Sequence, residues 1–106
     1  MLALGIVGSP RANSNTEFYV STALDTLKAE GIETRLIRLQ GKTILPCEAD
    51  YKCWSGEVHR CQLQGDDFLE IYEQMVAADA IIVGSPVHYS APHPKLWSLL
   101  VRAGFP

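Results

Sequence analysis

The residues best suited to chemistry in this 106-residue chain lie in a polar loop near its start, Gly8 to Thr16, which reads GSPRANSNT. Candidate donors in this loop are the hydroxyls of Ser9, Ser14 and Thr16, the amide of Asn15 and the guanidinium of Arg11. The loop leads into a segment of helical periodicity, and a helix N-terminus attracts anions through its free N–H groups and its dipole. A phosphate dianion suits these donors, although the loop is neither a Walker A motif nor GxGxxG. An ordinary polar turn that caps a helix is the alternative.

A second group of reactive side chains consists of Cys47, Cys53 and Cys61, which fall close together while the rest of the chain has no cysteine. An odd number of cysteines argues against a closed disulfide framework. In a reducing compartment, such a cluster is more typical of metal binding or redox chemistry than of structural disulfides.

The segments that must position the first loop follow a strand–helix–strand pattern. Residues 2–7 (LALGIV) are almost all apolar, as expected of a strand buried on both faces. Apolar residues at helical spacing predict a helix from about residue 14 to residue 30. Residues 32–39 alternate between apolar and polar, which predicts a more exposed edge strand.

The second half of the chain repeats this alternation after a long irregular segment. Residues 40–65 show no period and contain all three cysteines, and loops of this length are often functional. A helix is expected to begin at Asp66 or Asp67, with Glu70 placed to form a capping box with Asp67. A third strand, a loop with three prolines and a last helix are expected at Ala80–Gly84, Ser85–Pro94 and Lys95–Ala103.

This order of elements predicts a parallel sheet with helices on both faces, formed as a single domain. Ligands of such sheets bind beyond the carboxyl ends of the strands, where the strand order reverses. Here that point is the crevice between the first and third strands. The loops that reach it are residues 8–16 and 85–90.

The loop GSPRANSNT resembles the FMN phosphate loop of flavodoxin-like NAD(P)H-dependent FMN reductases, of the iron–sulfur flavoprotein group. The resemblance covers essentially the whole chain, and its further segments are Pro46-Cys47, Asp66-Asp67-Phe68, Ala78 to Val87 and Lys95. It implies a flavodoxin-like parallel sheet with helices on both faces, truncated to about three strands in the order 2-1-3. Residues 1–106 would then form a partial FMN-binding domain with a cysteine-containing loop at 40–65.

The resemblance also implies two sets of FMN contacts. The phosphate would be held by Ser9, Arg11, Ser14, Asn15 and Thr16, and the isoalloxazine would be bordered by Pro86, Val87, His88 and Tyr89. An aromatic side chain such as Tyr89 can stack on a flavin ring. His88 departs from the family pattern, which often has an aromatic residue there, while His59 and His93 are expected to be solvated.

The cysteine segment departs from the iron–sulfur members, in which four cysteines hold a [4Fe–4S] cluster. Here Asp50 stands where the second cysteine would be, so the candidate ligands are Cys47, Asp50, Cys53 and Cys61. A carboxylate oxygen is a poorer match for cluster iron than a thiolate is. A labile or three-iron cluster, a zinc site and three free thiols therefore remain as alternatives.

The function implied by the resemblance is that of an FMN-dependent oxidoreductase. NAD(P)H would reduce the flavin, and the flavin, with or without the help of a cluster, would reduce an unidentified acceptor. No residue is assigned as catalytic, because the cofactor performs the chemistry. Two alternatives remain: a flavodoxin-like electron carrier without NAD(P)H activity, and a degenerate half-domain that acts as an assembly module.

Charge and composition limit the classes of partner that we expect. The net charge of −3 gives no support for nucleic-acid binding, and no apolar run is long enough to span a bilayer. We expect a cytoplasmic location, because the apolar start lacks the basic residues of a signal peptide. The family's domain continues for two more strands, so the third strand would be a bare apolar edge here. We therefore expect a fragment of a longer chain or a homo-oligomer.

Overall fold

The computed structural model describes residues 1–55 and 59–104. Along the chain the elements are β1 (Leu2–Val7), α1 (Asn15–Ala29), β2 (Glu33–Arg38), α2 (Lys52–Ser55), α3 (Phe68–Ala77), β3 (Ala80–Gly84), β4 (Val87–His88), β5 (Ala91–Pro92) and α4 (Pro94–Gly104). In the described ranges, no helix is both long and apolar enough to cross a membrane.

The main sheet has three parallel strands in the order β2-β1-β3, which confirms the predicted topology. Leu4 of β1 lies opposite Arg35 of β2 on one side and Ile81 of β3 on the other. β1 is buried almost throughout because it has a neighbour on each side and helices above and below. β2 alternates between exposed and more buried residues, as its sequence predicts.

Helices cover both faces of the sheet. On one face, Val20 and Leu24 of α1 pack against Ala3 and Val7 of β1. On the other face, α3 and α4 pack against Leu4 and Ile6, and the buried residues they contribute are Phe68, Ile71, Leu96 and Leu99. Hydrophobic burial on both faces of β1 therefore fixes the positions of the helices.

Two glycines let α1 lie directly on the sheet. A Cβ atom on Gly5 would lie 2.7 Å from Leu24 Cδ1, and one on Gly84 would lie 2.6 Å from Val20 Cγ2. Real Cβ atoms essentially never show such contacts, so a larger residue at either position would force the α1 side chains to shift. This close packing places the start of α1 at the carboxyl ends of β1 and β3.

The structure differs from expectation at three connections. One is the segment 40–65, expected to be irregular throughout, which contains the short helix α2. Asp67 precedes α3 but makes no side-chain cap bond; its carboxylate instead accepts the Thr43 N–H at 2.8 Å. The predicted capping box is therefore wrong, because the Asp67 carboxylate binds the backbone of the long loop at Thr43 instead. The loop before α4 also contains a short antiparallel hairpin, β4–β5. It was not expected in a segment with three prolines.

Strand β3 forms one edge of the sheet, and within the described residues it pairs with β1 alone. Ile81 and Val83 on this strand are each 41% exposed. The expected bare apolar edge is thus present in the part of the chain described.

Candidate functional site

The two loops predicted to bind a ligand meet at the carboxyl ends of β1 and β3. The Gly8 N–H donates to the Gly84 carbonyl oxygen at 2.8 Å, which joins the ends of the two strands. A Cβ atom on Gly8 would lie 3.0 Å from that oxygen and 2.9 Å from Leu96 Cδ2. The crevice between the two loops therefore lies where the strand order reverses. Ligands of open parallel sheets bind at this point.

The first loop ends in a well-formed helix N-terminus. Ser14 is the N-cap of α1, and its Oγ accepts the Glu17 N–H at 3.1 Å. The first N–H groups of a helix have no partner within the helix, so they remain available to an anion. Buried Ser9 shapes the loop before it, because its Oγ accepts the Arg11 N–H at 3.2 Å.

The charges around this helix start favour an anion. Arg11 is exposed and forms no salt bridge with any described residue. Glu17 lies in the first turn, but Arg38 of β2 binds both oxygens of its carboxylate, at 2.7 and 3.3 Å. The hydrogen bond and charge of Glu17 raise the pKa of the Arg38 guanidinium. Glu17 in the first turn is therefore paired, while Arg11 has no carboxylate partner in residues 1–55 and 59–104.

The five residues expected at a phosphate lie on this one short segment, in different environments. Ser9 and Ser14 are buried, Thr16 is half-buried, and Arg11 and Asn15 are exposed. The Thr16 Cγ2 methyl packs against Gly84, since it would lie 2.9 Å from a Cβ there. Asn13, between them, has a φ of 52°, a left-handed conformation that asparagine tolerates better than most residues.

The second loop presents an exposed aromatic side chain on a strained turn. Tyr89 and Ser90 connect β4 to β5, and their φ angles are 55° and 61°. Hairpin turns with two positive φ angles normally use glycine, asparagine or aspartate. The Tyr89 side chain is fully exposed, at 102% of its reference area. Strain of this kind often accompanies a functional position.

His93 anchors this hairpin to α4, contrary to the expectation that it is solvated. Its backbone N–H donates to Ser85 Oγ at 3.0 Å, and its ring Nδ1 accepts the backbone N–H of Lys95 at 3.2 Å. Its ring lies 5.3 Å from that of His88. Burial, together with the nearby His88 and Lys95, lowers the pKa of His93. His93 therefore stays neutral at physiological pH and has a structural role, whereas His59 is exposed as expected.

The candidate metal ligands surround one pocket without converging. Cys47, Asp50, Cys53 and Cys61 all contribute to its lining. The Cys47 Sγ accepts the Ala49 N–H at 3.3 Å, and the Asp50 carboxylate accepts the Lys52 N–H at 3.1 Å. Within residues 1–55 and 59–104, no three His, Cys, Asp or Glu side chains are grouped closely enough to hold a metal ion.

A buried arginine, which the sequence reasoning missed, fastens the cysteine loop to α4. Arg102 donates from Nε to Cys61 Sγ at 3.2 Å, and from Nη1 and Nη2 to the carbonyl oxygens of Leu45 and Leu63 at 3.0 and 3.1 Å. It also forms an ion pair with Asp66, and the side chains of the pair are 0% and 2% exposed. One guanidinium thus binds the chain on both sides of the cysteines.

The Arg102–Asp66 pair is fully satisfied. The Asp66 carboxylate also accepts the N–H groups of Leu45 and Phe68, at 2.8 and 3.2 Å. Burial raises the pKa of Asp66, but the bonds from Arg102 and the two N–H groups outweigh it, and the pKa is lowered. Burial lowers the pKa of Arg102, but its bonds to Asp66 and Cys61 raise the pKa by more. Both groups are therefore charged at neutral pH.

Comparison with known proteins places these features in a family. A family model described as NADPH-dependent FMN reductase matches residues 1–104. The chain belongs to this family of FMN reductases. It is 40% identical over 103 residues to an iron–sulfur flavoprotein of Methanocaldococcus jannaschii, and 37% identical over 103 residues to one of Methanosarcina thermophila. These matches cover 97% of the chain but 52% of each relative, so the chain spans about half the length of these FMN reductase relatives.

Solved structures agree with the fold. A flavone reductase has a TM-score of 0.75 and 25% identity, and the match covers 98% of this chain and 30% of that protein. RosB, solved with a bound formyl derivative of riboflavin 5′-phosphate, has a TM-score of 0.73 and 24% identity, over 94% of this chain and 40% of RosB. The flavodoxin-like architecture of the FMN reductase family is thereby confirmed for the described residues.

The two cofactors suggested by these names fit this chain differently. The helix N-terminus of α1, the hydroxyls of the first loop and unpaired Arg11 form a donor set that suits the phosphate of FMN. The cysteine loop does not suit a four-thiolate cluster, because it has three thiols. Moreover, the described His, Cys, Asp and Glu side chains include no group of three placed closely enough to hold a metal ion.

Proposed function

We propose that this chain binds FMN and transfers electrons from NAD(P)H, through the flavin, to an acceptor that is not yet identified. The observation that carries the proposal is the capped N-terminus of α1, preceded by Arg11, which forms no salt bridge with any described residue. Membership of the FMN reductase family supports the choice of FMN among phosphate-bearing ligands.

In this proposal the two loops divide the binding of FMN. The phosphate is held at the N-terminus of α1 by Ser9, Arg11, Ser14, Asn15 and Thr16, and Gly8 lets the loop approach β3. The hairpin loop, with Pro86, Val87, His88 and Tyr89, borders the isoalloxazine. When bound, FMN supplies the hydride acceptor. The residues of the chain bind and orient the flavin, and none is assigned as an acid or base.

The remaining parts of the proposal concern the setting of the protein. We expect a cytoplasmic location and no nucleic-acid or membrane partner. We also expect β3 to be covered by another strand, either from the same chain or in a homo-oligomer. The support is that β3 pairs with β1 alone among the described residues and that its Ile81 and Val83 are exposed, since apolar edge strands are normally covered in native proteins.

The phosphate contact is tested by comparing FMN with riboflavin, which lacks the phosphate. A charge-assisted hydrogen bond contributes about 1.5–3 kcal/mol, so Arg11→Gln should weaken FMN binding roughly 10- to 100-fold. Riboflavin binding, measured by the same fluorescence-quenching titration, should change less than about twofold. Equal losses for both flavins, or none for FMN, would remove Arg11 from the phosphate site.

The electron donor is tested separately. Steady oxidation of NADPH or NADH at 340 nm by the FMN-loaded protein, with an artificial acceptor present, supports the reductase. Retention of FMN without such turnover would favour the one-electron carrier. Failure to retain FMN would favour the assembly module.

A further inference from the structure

The loop with the three cysteines is held by the side chain of Arg102, whereas the names of the relatives point to an iron–sulfur cluster in those proteins. Arg102 binds the carbonyl of Leu45, two residues before Cys47, and the carbonyl of Leu63, two residues after Cys61. The same guanidinium donates to the Cys61 sulfur. The ends of the segment that contains all three cysteines are therefore joined through a single side chain.

This arrangement is fully built into the core. Arg102 is 1% exposed, and its guanidinium carbon lies 4.1 Å above the centre of the Phe68 ring. Its charge is balanced by Asp66, and no described buried side-chain polar atom lacks a partner. A buried charge that is paired and hydrogen-bonded to this extent fixes one arrangement of the loop.

The chain has fewer thiols than a [4Fe–4S] cluster normally needs. A [4Fe–4S] cluster is normally held by four thiolates, and this chain has three cysteines. Asp50, the fourth candidate ligand, offers a hard oxygen that suits cluster iron poorly. Arg102 fixes the position of Cys61, and within residues 1–55 and 59–104 no three His, Cys, Asp or Glu side chains lie closely enough together to hold a metal ion.

We infer that the cysteine loop of this protein is closed by Arg102 and carries no iron–sulfur cluster, with Cys61 serving as a sulfur acceptor for the guanidinium. The inference does not depend on FMN binding. It separates this chain from the relatives named iron–sulfur flavoproteins, to which it is otherwise similar.

The first test measures iron and acid-labile sulfide after anaerobic reconstitution with iron and sulfide. The M. jannaschii relative, treated in parallel, is the positive control, and the variant with all three cysteines changed to serine gives the background. We expect the wild-type protein to match that background in both elements. Several irons and sulfides per chain above the background, with broad absorbance near 400 nm, would overturn the inference. Flavin is quantified separately in the same samples, so loss of FMN cannot be mistaken for loss of a cluster.

The second test asks whether Arg102 protects Cys61. Each thiol is alkylated in the native protein, and its rate is followed by mass spectrometry of the peptides. We expect Cys61 to react at least tenfold more slowly than exposed Cys47, and Arg102→Lys to remove most of that difference. Arg35→Lys, on the exposed side of β2, is the matched control and should change nothing.

Circular dichroism reports whether each variant keeps its sheet and helices. Should Arg102→Lys not fold, Asp66→Asn tests the same network, because it removes the charge that holds the guanidinium. Equal alkylation rates for Cys61 and Cys47 in the wild-type protein would show that Arg102 does not hold Cys61, whatever the variants do.

Discussion

Removal of Arg102 should be among the most destabilising single changes in this domain. Arg102→Met keeps most of the aliphatic stem but removes all the donors, and it leaves the carboxylate of Asp66 without its cation. Because the two side chains are 0% and 2% exposed, the remaining charge is poorly solvated. Breaking one side of a buried pair costs about 3–5 kcal/mol, a large share of the roughly 5–15 kcal/mol that stabilises a typical domain.

A double-mutant cycle separates the stranded charge from the other losses. Asp66→Asn removes the negative charge but keeps an oxygen that can accept the Leu45 N–H. The double variant Arg102→Met/Asp66→Asn should therefore be about 1–3 kcal/mol more stable than the sum of the single effects predicts. The gain arises because no unpaired charge stays buried.

Urea unfolding followed by circular dichroism at neutral pH measures these values, and the slope should be unchanged if the denatured state is the same. Thermal melting should show a fall of about 12–20 °C for Arg102→Met. Arg35→Met is the control, since its partner Glu33 is largely exposed and such pairs contribute about 0–1 kcal/mol. A loss below about 1 kcal/mol for Arg102→Met, or strictly additive effects in the cycle, would refute the reasoning.

Three further predictions follow from the site. Ser14→Ala removes the N-cap of α1 and should cost about 1 kcal/mol in urea unfolding, with FMN binding weakened more than riboflavin binding; an unchanged midpoint would contradict the cap. Tyr89→Asn relieves a positive φ and should raise stability by up to about 1 kcal/mol while weakening flavin binding, and a loss of stability would argue against strain at this turn. The pKa of Asp66 is lower in the folded state, so its stabilisation is present above about pH 4 and is lost as the pH falls through its folded value. Asp66→Asn should then show a shallower acid dependence of the unfolding free energy, and parallel profiles would speak against that shift.

The fold could be predicted from the sequence where local patterns are strong. The continuous apolar run of β1 and the alternation in β2 are enough to distinguish the central strand from an edge strand. The β4–β5 hairpin could not be predicted, because its turn uses Tyr89 and Ser90 rather than glycine or asparagine. Its strands are also only two residues long.

Part of the candidate site could also be predicted, because it too is encoded by a local sequence pattern. The phosphate loop is one continuous segment, so its residue types and the following helix indicate its chemistry directly. The Arg102 network joins residues 36 to 57 positions apart, and no local pattern connects them. One signal was present: on α4, Arg102 continues the apolar stripe of Leu96 and Leu99. A charge in such a stripe needs a buried partner, but the sequence does not say that the partner is Asp66.

The central position of β1 has a consequence for biosynthesis. β1 precedes both of its sheet neighbours along the chain, yet its first residue, Leu2, donates its N–H to the carboxylate of Asp79, 77 residues further on. At about 5–20 residues per second, a ribosome needs roughly 4–15 s to supply that partner. During this interval the most buried strand among the described residues has an unpaired edge, on which other nascent chains can pair. Chaperone binding to β1 of the nascent chain would therefore matter more here than in a fold whose central strand follows its neighbours in the sequence.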